Sequence, residues 1–315
     1  MNVLTLAAMA AFSLISPDKA YVKPEEPAKI QFLQSDKPDA AKSVEVAGLN
    51  AAQLPGLFVK AGAADVIADG KPLFQLYTFE GKLLTPKGDV KADDAGMVDL
   101  KTCYPDIKAA GTFILTWKDA TPLVIQTLTS PNQGPDAVAV THIEPLRYAV
   151  ISTDQGDIKA TFAYDVAPHT IDNFITLADQ KFYDGSTFHR IIKGFMIQGG
   201  DAVSMVEGRA GTGGPGYNIM DEFSDKSHVR GVLSMAHSRP ANSGGSQFFI
   251  MLDAKTHLDH GYSAFGQVIE DGMKVVDKIA EAKVSDDNGT VAGDKPKIKS
   301  IRILPATAEM YGIKK

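Results

Sequence analysis

Between Phe188 and Asp201 the chain sets one permanent cation, Arg190, among Phe188, Ile191, Ile192, Phe195, Met196 and Ile197. A single amide, Gln198, follows, just before Gly199-Gly200. The run Gly245 to Ile250 brings a second amide, Gln247, beside Phe248 and Phe249. A guanidinium offers several rigid N–H donors and does not deprotonate at working pH. In apolar surroundings it can hold a neutral, apolar substrate and touch it with one or two hydrogen bonds. Neither segment supplies an obvious nucleophile or a set of metal ligands. The seven His residues are scattered. His142, His169, His189, His228 and His237 form no pair at helical spacing. His257 and His260, with Asp259 between them, have no further ligand nearby, so no metal is expected. Gly213-Gly214-Pro215-Gly216 is followed by no Lys-Ser/Thr and reads as a loop, not a phosphate cradle.

These two segments closely resemble the cyclophilin family of peptidyl-prolyl cis/trans isomerases. The likeness continues in order along the chain. Ala167 to Phe174 is similar to the first helix of that family, and Phe182 to Arg190 to its helix-to-strand passage. Gly211 to Tyr217, Asp221-Glu222-Phe223 and Gly231 to Ala236 follow, and Leu258-Asp259 and Phe265 to Val268 close the series. The resemblance spans about residues 146–305, and the rest of the chain has none.

The resemblance implies isomerisation about X-Pro bonds. No covalent bond breaks there; amide resonance sets a barrier of ~18–20 kcal/mol. A catalyst must favour the twisted amide over either planar form. The twisted prolyl nitrogen regains a lone pair that can accept a hydrogen bond. By its matching position Arg190 is the catalytic donor, with Gln198 either bonding a substrate carbonyl or orienting Arg190. Phe195, Met196, Phe249 and Leu258 would form the apolar proline cup. Ala236, His237 and Gln247 would line the channel for the residue before proline. A closed core would also use Phe195, Met196 and Phe249, but it would bury Arg190, Gln198 and Gln247 only with partners.

The chain departs from the family pattern in places. His257 stands where many members carry a Trp, which weakens any expectation of tight binding to the cyclic peptide drug that inhibits many relatives. Tyr262 replaces a frequent His at the cup, and His237 a frequent Asn. The segment Val203 to Ala210 is longer than in many relatives.

The 315 residues suggest two domains. The composition, 44% apolar and 22% charged, suits a globular protein, and a net charge of −6 without a basic stripe argues against nucleic acid as a partner. The single cysteine, Cys103, rules out an internal disulfide. Val3 to Ser16 is an uncharged, mostly apolar run of signal-peptide length, too short to span a membrane. Export is therefore expected, with residues 1–19 as a signal segment. A packed N-terminal strand in a cytoplasmic protein is the alternative.

Residues 20–128 read as a β-sandwich, with an Ig-like topology as one option and a binding or spacing role that would involve a protein partner. Strands are expected at Ile30 to Phe32, Ser43 to Ala47, Phe74 to Tyr77, Thr112 to Trp117 and Leu123 to Thr127. Residues 129–145, opening on Ser130 to Asp136, read as a linker. In residues 146–305 a hairpin is expected from Arg147 to Thr153 and Gly156 to Phe162. Helices are expected around Ile171 to Ala178, with Thr170 as N-cap, and over Gly272 to Ala282. Residues 306–315 would be a tail. The fold expected is thus mainly β: a sandwich plus, by resemblance, a closed β-barrel flanked by two helices. The expected activity is prolyl isomerisation on flexible chains, without cofactor, in protein folding. A proline-binding chaperone or scaffold with little turnover is the alternative.

Overall fold

The computed structural model describes residues 12–35, 59–87, 90–108, 111–129, 139–206, 208–269 and 271–314. The chain divides into two compact units, residues 1–146 with 305–315, and residues 147–304. Strands dominate both.

In the first unit, β1 (Phe12–Pro17), β3 (Lys29–Ser35) and β4 (Val59–Lys60) form an antiparallel sheet, with β8 (Met97–Asp99) also pairing with β3. A second sheet has the order β2-β11-β10-β9-β7, comprising Tyr21–Val22, Ala139–Pro145, Leu123–Thr129, Gly111–Thr116 and Gln75–Thr78. The pair β5 (Ile67–Ala68) and β6 (Lys71–Pro72) turns through Asp69-Gly70, both at positive φ, as a tight two-residue hairpin requires. Alternation in β3 buries Ile30 and Phe32. They join Ile15 and Val98 with Leu76, Leu115, Ile125 and Ile143 of the second sheet in one hydrophobic cluster. Phe32 lies between Phe74 and Trp117, at centroid distances of 5.0 and 5.2 Å.

Some sequence expectations change here, and others fall on residues outside the described set. Residues 12–16 at the end of the apolar N-terminal run lie in β1, with Leu14 and Ile15 buried; residues 1–11 lie outside the described set. The expected strand Ser43 to Ala47 and the turn-rich Ser130 to Asp136 also lie outside it. Residues 139–145 of the expected linker form β11, paired along its length with β10, because Val140, His142 and Glu144 alternate with Thr141 and Ile143 against that strand. The final residues pack on the first unit: Ala306 N–H donates to the Leu146 carbonyl at 2.8 Å, Ile313 is fully buried, and Tyr311 packs edge-on against Phe79.

The second unit holds β12 (Arg147–Thr153), β13 (Gly156–Phe162), β14 (Arg190–Ile192), β15 (Met196–Gly199), β16 (Val232–Met235), β17 (Phe248–Met251), β18 (Ala264–Ile269) and β19 (Ile298–Pro305). Their sheet order is β14-β15-β17-β16-β18-β13-β12-β19. Hydrogen bonds from Phe188 N–H to the Pro296 carbonyl and from Ile298 N–H to the Ser186 carbonyl join the two ends of this path. Helices α1 (Pro168–Asp179) and α2 (Gly272–Ala280) accompany the sheet.

Period-2 alternation assigns β17 two tasks. Phe248 packs against Phe174 of α1 and Tyr183, at 5.5 and 5.8 Å. Its neighbour Phe249 joins a separate cluster with Met196, Met251, Leu258 and Ala264, to which Phe195, Ala236 and Tyr262 add partly buried surface.

The N-cap of α1 is Ala167, not Thr170, which lies one residue pair inside the helix. Pro168 fits the first turn because its missing N–H is not needed there. The capping is non-local: the Glu222 carboxylate accepts from His169 N–H, Thr170 N–H and Thr170 Oγ1–H at 3.1, 2.7 and 2.7 Å. It also places negative charge at the positive end of the helix dipole.

Candidate active site

The β14–β15 hairpin turns at Gly194, at φ 68°, and its register sets Arg190 opposite Gln198. Arg190 Nη1 donates to Gln198 Oε1 at 3.1 Å, and Arg190 Nε donates to the Asn288 carbonyl at 2.9 Å. Gln198 Nε2 donates to Gln247 Oε1 at 2.9 Å, and Gln247 Nε2 donates to the carbonyls of Gly211 and Gly213 at 3.1 and 2.8 Å. The two glycine carbonyls decide the direction of this relay. A carbonyl can only accept, so Gln247 must turn its NH2 towards them and its oxygen towards Gln198. Gln198 must then present its own oxygen to Arg190. The guanidinium is held from two sides, and its Nη2 has no hydrogen-bond partner among the described residues.

Below the guanidinium lies a cavity of about 380 Å3 lined by Arg190, Phe195, Met196, Gln198, Ala236, His237, Phe249, Leu258 and Tyr262. All nine were singled out in the sequence. The tenth, Gln247, lines an adjoining cavity of about 630 Å3 with the Gly211–Asn218 loop, and Gln198, Ala236 and His237 border both. The floor of the first is apolar: Met196, Phe249 and Leu258 are all buried. Tyr262 packs edge-on over Phe249 at 5.5 Å, and His257 lies 6.0 Å from Phe195. The His237 ring is fixed by the Ser238 and Gly261 carbonyls, 2.6 Å from Nδ1 and 2.7 Å from Nε2, and by Tyr262 at 4.4 Å. Asn173 of α1 steadies the loops bordering the larger cavity, donating to the Gly245 carbonyl and accepting from Tyr217 Oη–H, both at 2.7 Å.

Such a site can grip an apolar ring and offer it unused cationic N–H donors in a low-dielectric setting. A family model for cyclophilin type peptidyl-prolyl cis-trans isomerase/CLD matches residues 148–307, half of the chain. The chain belongs to this family. Similar curated proteins include a peptidyl-prolyl cis-trans isomerase of Synechococcus elongatus, 44% identical over 146 residues, which are 44% of this chain and 97% of that protein. The peptidyl-prolyl cis-trans isomerase-like 3 of Gallus gallus is 44% identical over 138 residues, 43% of this chain and 83% of the relative. A solved cyclophilin-type isomerase of Cryptosporidium parvum, in the presence of the dipeptide Ala-Pro, is 31% identical and covers 51% of this chain and 99% of that chain, at a TM-score of 0.45.

The cyclophilin domain also recruits residues that sequence reading passed over. His189, Ala210, Gly211, Asn288 and Thr290 complete the lining of the smaller cavity. The Asn288-Gly289 dipeptide is a turn signal, but nothing local says the turn would meet Arg190. It does so because Ile191 N–H donates to the Gly289 carbonyl and Val291 N–H to the His189 carbonyl, a short ladder beside β14. Gly289 sits at φ 82°, and a Cβ there would overlap the Ile191 carbonyl.

A Ser-His-Asp arrangement is also present. His228 Nδ1 lies 3.0 Å from Asp259 Oδ1, and Nε2 lies 3.0 Å from Ser234 Oγ. Geometry alone would suggest a hydrolase. Ser234 is fully buried within β16 and lines neither cavity, so its hydroxyl is closed off from both. The His228 ring stacks 6.1 Å from Phe249, so the trio supports the cavity floor. Burial pushes the His228 pKa down against the opposing pull of Asp259, and the His228 backbone N–H holds Asp259 below the usual carboxylate range. Among the described residues no cluster of three His, Cys, Asp or Glu could hold a metal, and no helix is long and apolar enough to cross a membrane.

Proposed function

We propose that the domain isomerises X-Pro bonds by non-covalent catalysis, with Arg190 as donor to the prolyl nitrogen of the twisted amide. The observation that carries this is the Arg190 guanidinium itself, tied by Gln198 and Asn288 yet with Nη2 unpartnered among the described residues, beside a cavity with an apolar floor. The planar prolyl nitrogen is a poor acceptor because its lone pair is in resonance. The twisted nitrogen is a good one, so the donor gains strength only as the bond rotates. Met196, Phe249 and Leu258 hold the pyrrolidine ring while the preceding residue turns past Ala236 and His237. Gln198 acts on Arg190, since its oxygen is already committed there. Clients are flexible proline-containing chains whose folding waits on isomerisation.

The test is the cis-to-trans rate of a short X-Pro peptide with the wild type and with Arg190→Ala. Removing one preorganised donor costs roughly 100-fold in kcat/KM. Retained turnover in the variant would remove Arg190 from the mechanism. Peptide binding without acceleration by either protein would instead support a proline-binding module.

A further inference from the structure

We propose that Asp201, outside both cavities, is a positioning residue for Arg190, acting through the glycine turn at 211–213 and the two amides. This rests on the reading of Arg190 as the donor. Asp201 follows β15 and is fully buried. The chain delivers it there through Gly200, at φ 80°, where a Cβ would overlap the Ser246 carbonyl. No cation pairs with the carboxylate among the described residues; it is met by backbone N–H groups instead. Oδ1 accepts from Val203 N–H at 2.8 Å, and Oδ2 accepts a short bond from Gly211 N–H. A buried carboxylate without a counter-charge is costly unless its oxygens are hydrogen-bonded, so this arrangement strongly fixes the backbone around it.

What it fixes is the start of the relay. A Cβ at Gly213 would overlap Asp201 Oδ1, so the backbone at 213 runs directly against the carboxylate. Asp201 therefore touches both residues, Gly211 and Gly213, whose carbonyls receive the Gln247 amide. An ordinary loop anchor would have no reason to select those two. Because the carbonyls decide which way Gln247 faces, and Gln247 decides which way Gln198 faces, the carboxylate sets the direction of the bond at Arg190.

Asp201→Asn keeps the shape but turns an NH2 towards one of the two backbone N–H donors, releasing one end of the clamp. The expected result is a loss of roughly tenfold in kcat with KM within about twofold, because a misplaced donor weakens the transition state more than ground-state binding. Gly213→Ala pushes the carboxylate and turn apart from the other side and should give the same kcat-type loss, whether or not Asp201→Asn folds. In a Gln247→Ala background, with the relay already cut, Asp201→Asn should cost less than about twofold more. Full additivity in that background, a loss confined to KM, or unchanged kcat in both single variants would each overturn the proposal. Arg190→Ala is measured alongside. If it is as active as the wild type, the donor reading itself falls. If it is inactive while Asp201→Asn and Gly213→Ala keep full kcat, only the relay falls.

Discussion

Two cations show how differently the two units spend hydrogen bonds. In the first unit Lys101 is buried, and its ammonium donates to the carbonyls of Lys23, Pro24 and Glu26. An ammonium has three N–H donors, so nothing is left over. In the second unit Arg190 is only half-buried and uses Nε and one Nη1 donor on protein, out of the five its fork offers. A cation with every donor consumed ties the chain to itself. One held firmly but left with open donors beside a cavity with an apolar floor has hydrogen bonds still to give. Both are cations, so charge does not separate them; the count of unused donors does.

The largest effects should fall on opposite properties. Lys101→Met would leave three backbone carbonyls without their donor and is expected to destabilise the first unit by about 3 kcal/mol in chemical denaturation. Its kcat/KM on X-Pro peptides should be that of the wild type. Arg190→Ala should do the reverse, losing roughly 100-fold in kcat/KM with an unfolding midpoint near wild type. If Lys101→Met lowered turnover, or Arg190→Ala cost as much stability, the contrast would be broken.

A smaller effect separates support from chemistry within the cyclophilin domain. Glu222→Gln keeps one acceptor oxygen for the N-terminus of α1 but loses the charge and the second. About 1 kcal/mol of stability should go, read from the shift in denaturation midpoint, without a matching loss in kcat.

The gentlest probe is pH. Burial lowers the pKa of His189 below its ordinary value, with the Asp201 charge opposing, and does the same to His228. Both are therefore neutral when folded at pH values where the unfolded chain already takes up their protons. The unfolded state binds more protons, so stability rises with pH in that window. It should fall as pH drops below about 6.5, by at most ~1.4 kcal/mol per pH unit for each histidine, and level off below the folded pKa. His228→Gln should flatten part of that slope. An unchanged slope would mean that His228 titrates alike in both states.

Much of this was readable before any fold was drawn. The hairpin expected over Arg147 to Thr153 and Gly156 to Phe162 occupies those residues. The helix around Ile171 to Ala178 lies inside α1, and the second expected helix ends two residues early, at Ala280. These are local patterns: apolar residues at period 2 or 3.6 already say which face is buried. Thr170 is a good capping type at a plausible place, but the carboxylate that caps α1 lies 52 residues further along, beyond the reach of any local pattern. Strand β11 was hidden because its partners, β10 and β2, bury Thr141 and His142 along with Ile143, so its alternation is only partly apolar.

By itself the sequence determined the residue types and their local order: a cation and two amides among aromatics, glycines where the chain turns left-handed, and strands with alternating faces. These depend on side-chain chemistry and on neighbours within a few residues. Tertiary structure alone decided that the Asn288 carbonyl, 98 residues from Arg190, would hold the guanidinium. It also decided that Gln198 and Gln247, 49 residues apart, would share a hydrogen bond, and that Asp201 would stand behind the turn that orients them. Hydrogen bonds reach about 3 Å and demand direction. No pattern along the chain encodes which donors will meet which acceptors until the sheet has brought them to that distance.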